Sequence, residues 1–138
     1  MYLGDSLLQQ FIIYAVRGPI PEGQTIMMNS ISFAGWVGLL VTMFNLLPIG
    51  QLDGGHIMYA MFGKTQKTIA YAAMFGLLAL SMWWTGWVFW LLLSFLMKPA
   101  HPPTLLDEEP IGRKRQFVGL LSIAVFILCF MPIPVSFR

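Results

Sequence analysis

The chain has 138 residues, 57% of them hydrophobic and only 10% charged, with a mean hydropathy of +0.72. That is more apolar and less charged than a soluble domain, so one compact integral membrane domain is expected. A net charge of +2, with the basic residues gathered at segment ends, excludes a nucleic-acid binder.

The N-terminus lacks a basic start, an apolar run and a small-residue cleavage site, so no signal peptide is expected. No internal repeat is visible. Residues 1–18 predict an amphipathic helix, with Leu7, Leu8, Phe11, Ile12, Ala15 and Val16 on one face. Ser6 and Gln9 form a capping-box pattern, and Gly18 followed by Pro19 stops the helix. It is too short to span ~30 Å of hydrocarbon. Two placements stay open: the membrane interface, or packing on the soluble side. Pro19, Pro21, Glu22 and Gly23 then mark a loop.

Residues 30–47 are the first spanning candidate, and Ser30, Ala34 and Gly38 lie four apart on one face where another helix could approach closely. Pro48 has no N–H and must break the helix, which is expected to resume from about His56 to Phe62. Segment 30–62 is thus expected to be one broken transmembrane helix. Between Glu22 and Lys64 the one Asp, Glu, Lys or Arg is Asp53. A carboxylate at membrane depth costs about 2.5–3.5 kcal/mol on insertion scales, so a chain that keeps one is expected to use it. Gly50, Gly54 and Gly55 permit close approach of backbone or an ion. Irregular backbone at that depth occurs where it is buried in protein or lines a wet cavity. Asn45 through His56 therefore predicts a site.

Lys64 and Lys67 mark a short polar turn. The stretch 68–97 carries no charge. As a single helix it would be ~45 Å long, too long for the hydrocarbon. Trp83, Trp84, Gly86 and Trp87 divide it into a span over 68–84 and a short span or re-entrant arm over 87–97, with the tryptophans expected as anchors at the membrane interface. Residues 98–115 predict a polar loop containing His101, the acidic run Asp107–Glu109 and the basic run Arg113–Arg115. A last span is expected over 116–131. The two lysine- and arginine-bearing loops fall on the cytoplasmic side if two crossings separate them. The lone cysteine, Cys129, cannot form an internal disulfide and reads as an inert packing or lipid-facing residue. The expected fold class is all-α, a polytopic membrane helix bundle with one broken helix.

Asn45-x-x-Pro48-x-x-x-x-Asp53-Gly54 resembles the N-x-x-P-x-x-x-x-D-G motif of the site-2 protease family, the intramembrane zinc metalloproteases of peptidase family M50. Phe33–Leu39 before it, Gly55-His56 and Phe62-Gly63 after it, and the later His101-Pro102-Pro103 and Gly112–Arg115 are similar to prokaryotic and plastid members. The resemblance implies that Asp53 is the third protein ligand of a catalytic Zn2+. It implies for Asn45 a substrate-positioning or carbonyl-polarising role, and makes Pro48, Gly54, Gly55 and His56 the frame of the motif. The other two ligands in that family are histidines of an H-E-x-x-H helix whose Glu is the general base. No H-E-x-x-H occurs here; the histidines are His56 and His101 alone. The chain therefore looks like the C-terminal half of such a protease, not competent by itself. The first half could be missing from the record, carried on another chain, or absent in nature.

Two further readings stay beside the zinc one. Asp53 could be a buried carboxylate capping the second half-helix, and His56 is expected to pack or support rather than ligate. At the level of function, the leading expectation is hydrolysis of membrane-embedded peptide bonds by a zinc-activated water. A non-catalytic pseudoprotease module that binds transmembrane segments is the alternative, and an ion-coupled transporter fragment a further one. The implied partners are the lipid bilayer, a transmembrane substrate, and the half or partner chain carrying H-E-x-x-H. The implied location is a multi-pass protein of the cell membrane.

Overall fold

The computed structural model describes residues 2–21, 26–100 and 111–136. Six α-helices dominate: α1 (Leu7–Arg17), α2 (Ser30–Asn45), α3 (Asp53–Phe62), α4 (Gln66–Leu80), α5 (Gly86–Leu96) and α6 (Arg113–Cys129). A two-residue antiparallel ribbon pairs β1 (Tyr2–Leu3) with β2 (Val135–Ser136), in the register Tyr2 to Ser136 and Leu3 to Val135. The all-α class holds apart from this ribbon. Two-residue strands at opposite ends of a chain carry no readable period, so nothing local announces them.

The chain divides into two compact units, one of Met1–Phe44 with Phe126–Arg138, the other of Asn45–Val125. In the first, Ser6 is the N-cap of α1, and its side chain accepts a hydrogen bond from the Gln9 backbone N–H at 3.2 Å. The reciprocal half of the expected capping box is replaced: the Gln9 amide donates to Asp5 at 2.8 Å. Gly18 ends α1 with φ +78°, which glycine adopts without penalty. The indole N–H of Trp36, on α2, donates to the Gly4 carbonyl at 2.7 Å, and the Gly4 N–H donates to Pro134 at 2.8 Å. These bonds tie the ribbon to α2. Met43, Cys129 and Met131 are buried there, and the Met131 N–H donates to the Met43 sulfur. The small-residue stripe of Ser30, Ala34 and Gly38 is exposed, with nothing within 4 Å of where a Gly38 Cβ would stand.

In the second unit α3, α4 and α5 pack in sequence. Gly63, at φ +55°, closes α3 and opens a single 3₁₀ turn, after which α4 starts at Gln66. Lys67 is accordingly helical. α4 ends at Leu80, and the turn through Trp83 and Trp84 leads into α5. Trp87 is fully buried and meets Trp84 edge to face at 5.6 Å. Trp87 is thus a core residue, whereas residue type alone had assigned it to an interface.

Several boundaries move from their expected places. α6 begins at Arg113, so the three basic residues Arg113–Arg115 form its first turn and are not loop. It stops at Cys129, and Pro132 and Pro134 follow as bends. α1 covers Leu7–Arg17, inside the expected 1–18. No described helix is long and apolar enough to cross a membrane. The cause is length: α2, α4, α5 and α6 have 16, 15, 11 and 17 residues. At 1.5 Å per residue they reach roughly 17–26 Å against ~30 Å of hydrocarbon. The full spans expected over 30–47, 68–84 and 116–131 are not attained. His101 and the acidic run Asp107–Glu109 lie outside the described residues.

Candidate active site

The interruption between α2 and α3 is short and tightly folded. α2 ends at Asn45, three residues ahead of Pro48, and α3 begins at Asp53, three residues before the expected restart at His56. The early restart has a steric reason. Gly54 and Gly55 are buried in the first turn of α3. A Cβ on Gly54 would overlap the carbonyls of Leu46 and Leu47, and one on Gly55 would overlap the Gly50 carbonyl. Only a helix start without side chains can slide beneath the returning loop.

The loop satisfies itself by turns and by one remote partner. The Ile49 N–H donates to the Leu47 carbonyl at 2.8 Å, and the Leu52 N–H to Ile49 at 3.3 Å. The His56 N–H donates to Leu52 at 3.1 Å, opening the helix. Gly50 takes φ +55° and donates its N–H to the Pro99 carbonyl at 2.9 Å, beyond the end of α5. Pro99 also accepts from the Gln66 side-chain amide at 3.2 Å. Leu47 and Ile49 fill the space beneath, at 2% and 1% exposure.

Against that buried wall the polar residues of the motif point outward. Asn45, Asp53 and His56 are all exposed, while Phe44, Leu47, Ile49, Gly50, Gly54 and Gly55 are buried and Pro48 is half-buried. Asp53 and His56, three apart on α3, share a face. Leu52 is the N-cap and makes no side-chain cap bond. Asp53 is the first helical residue, so a buried carboxylate capping the half-helix is not what the fold contains.

An exposed, ionisable carboxylate on rigid backbone suits one ligand position of a zinc ion. Among the described residues no cluster of three His, Cys, Asp or Glu side chains could hold a metal ion. The donors among the described residues therefore fit one corner of such a site and not a complete coordination shell. The motif residues were visible in the sequence. Gln66 and Pro99 were not: Gln66 lies between Lys64 and Lys67 and reads as part of a solvated turn, yet it is 1% exposed. Its position ahead of a long uncharged helix was the available signal.

Residues 3–83 match the model of Peptidase family M50. The chain is 30% identical over 120 residues to "Probable zinc metalloprotease EGY2, chloroplastic" of Arabidopsis thaliana, covering 86% of this chain and 22% of that protein. It is 32% identical over 121 residues to the protein of the same description from Oryza sativa subsp. indica, with the same coverage. "Probable zinc metalloprotease EGY1, chloroplastic" of Arabidopsis thaliana is 28% identical over 143 residues, 96% of this chain and 25% of that one. The chain thus spans about a fifth to a quarter of the length of these relatives. No solved structure matches. With the matched region reaching from β1 through the whole broken-helix motif and α4, the chain belongs to peptidase family M50.

Proposed function

We propose that this chain supplies the aspartate half of an intramembrane zinc metalloprotease site, completed by an H-E-x-x-H helix from elsewhere in the assembly. The observation that carries this reading is the outward presentation of Asp53, with Asn45 and His56, from a break in which Leu47, Ile49, Gly50, Gly54 and Gly55 are buried. Family membership and the names of the relatives support it.

Asp53 would be the third protein ligand. When bound there, zinc lowers the pKa of its water to about 7 and so supplies the nucleophile for peptide hydrolysis. This chain's own contribution is placement. Gly54 and Gly55 let the α3 N-terminus seat against the loop, which fixes Asp53 relative to Asn45. The exposed Asn45 amide can donate to a substrate carbonyl or hold an extended substrate segment. His56 supports the same face.

We place the protein in a bilayer as part of a multi-pass enzyme of the cell membrane. Large apolar side chains such as Ile31, Phe75, Phe95 and Leu96 are exposed on the helices, an arrangement that lipid or neighbouring helices would cover. A partner half would extend the short helices into a continuous membrane domain. The substrate would be a transmembrane protein whose scissile bond reaches the break.

In the zinc-loaded assembly, Asp53→Ala is expected to lower bound zinc to well under one per site and to abolish cleavage, with helix content unchanged by circular dichroism. Normal cleavage by that variant would refute the ligand role. An assembly that binds transmembrane segments but takes no zinc would point to the non-catalytic module. Ion-coupled flux lost in Asp53→Asn would point to the transporter fragment. Expressed alone, the chain is expected to hold no stoichiometric zinc, because one carboxylate cannot make a tetrahedral site.

A further inference from the structure

Three backbone and side-chain groups far apart in sequence converge behind the Asp53 loop. The Gln66 side-chain amide donates to the Pro99 carbonyl at 3.2 Å. The Gly50 N–H donates to the same oxygen at 2.9 Å. Gln66 is the first residue of α4 and is 1% exposed, whereas Pro99 follows the end of α5. One carbonyl thus accepts from both sides, joining the α4 start, the α5 end and the break.

We infer that Gln66 is a positioning residue for the metal-binding aspartate: through the shared Pro99 carbonyl it locks Gly50, and hence the loop that sets Asp53. The mechanical path is short. Gly50 holds a left-handed conformation, φ +55°, in which a Cβ would stand 2.8 Å from the Lys98 carbonyl. Its own carbonyl lies where a Cβ on Gly55 would be. A shift of Gly50 therefore pushes directly on the first turn of α3, two residues from Asp53. The Pro99 carbonyl, on a half-buried residue, accepts both bonds, so the three groups hold one arrangement.

A purely structural amide would lend stability and nothing else. A positioning residue must change ligand geometry. Groups that orient metal ligands without touching the metal are worth roughly 10- to 100-fold in metal affinity or activity. That is the size of effect expected here, and it rests on the zinc-protease reading above.

The test uses the complete zinc-loaded protease purified from its own membrane. Gln66→Met keeps the volume and removes the donor. It is expected to raise the zinc dissociation constant, read by competition with a chromogenic chelator, by about tenfold or more. It should lower kcat to a similar extent while KM stays within about twofold of the parent value. It should also speed hydrogen exchange at the Gly50 amide. Gln66→Glu keeps the shape and serves if the Met variant does not fold. Its neutral acid form can still donate to Pro99, and its ionised form cannot. Zinc affinity in that variant should therefore fall as pH rises through the introduced carboxyl's titration, with no such trend in the parent beyond that of the site itself.

Lower thermal stability with unchanged zinc affinity, kcat and Gly50 exchange would overturn the assignment. Failure of the zinc-protease reading would look different: the parent assembly would hold no zinc, or Asp53→Ala would cleave normally. In that case accelerated Gly50 exchange in Gln66→Met would still establish the latch, and unchanged exchange would dismiss it.

Discussion

Two of the helix interruptions in the second unit, α2 to α3 and α4 to α5, are built in opposite ways. Between α4 and α5 the chain turns through Trp83 and Trp84 and answers its own hydrogen bonds locally. Trp83 and Trp84 donate N–H to Leu80, Trp87 donates to Trp84, and Val88 to Thr85. Between α2 and α3 the loop instead reaches across the fold, from Gly50 to Pro99, and lies over two buried glycines. A turn satisfied within itself needs only to reverse direction. A break whose backbone depends on a remote carbonyl has its geometry set by the surrounding fold, as a site requires when it must hold a ligand within tenths of an ångström. The exposed carboxylate, amide and imidazole of Asp53, Asn45 and His56 belong to the second kind of break.

The largest expected effect tests whether that tight seating matters. At Gly54 the atoms a methyl would meet are the carbonyls of Leu46 and Leu47, which are backbone and cannot rotate away. Gly54→Ala should therefore destabilise the unit by about 3 kcal/mol, the upper end of overpacking costs, measured by denaturant or thermal unfolding in detergent. In the zinc-loaded assembly the same variant should lose metal. Tolerance of alanine at this position would erase the distinction between the two interruptions.

Gly86 is the matched control. A Cβ there meets the ring of the Trp84 side chain, which can swing aside. The residue opens α5, where alanine gains helix propensity over glycine by up to about 1 kcal/mol. The two effects oppose each other, so Gly86→Ala should change stability by less than about 1 kcal/mol in the same unfolding experiment. A cost equal to that at Gly54 would mean that both interruptions are equally rigid.

How much of this was legible from the residues follows from the range of each signal. Pro48, the three glycines and an isolated carboxylate are local marks, and they located the break and its candidate residues. Helix existence was readable from apolar runs and their punctuation, while ends were displaced where tertiary contacts intervene. Asp53, Gly54 and Gly55 are helical because the loop folds over them, which is not a property of those residues alone. Gln66 and Pro99, 33 positions apart, are joined by a hydrogen bond that no local pattern encodes. Trp87 was misread because tryptophan's preference for interfaces is an average, and here packing against Trp84 decides. The β1–β2 ribbon joins the two chain ends and leaves no period to read.

The smallest expected effect concerns the strap that answers the break. Lys98 has φ +61°, the one non-glycine residue with positive φ among those described. It follows α5, and its carbonyl faces Gly50, itself left-handed. A left-handed conformation costs a side-chain-bearing residue about 1–2 kcal/mol, whereas glycine takes it freely but gives up about 0.5–1 kcal/mol of unfolded-state entropy. Lys98→Gly should therefore stabilise the unit by about 0.5 kcal/mol, a rise of a few degrees at most in Tm. The variant separates two causes of the strap's position. If the Gln66 and Gly50 bonds hold Pro99 in place, relieving Lys98 leaves zinc affinity unchanged while Tm rises. If instead the strained Lys98 conformation itself aims the carbonyl, glycine at this position loosens the strap and zinc affinity falls with it. The two hydrogen bonds on a single carbonyl oxygen favour the first outcome, since together they constrain Pro99 more strongly than one backbone torsion does.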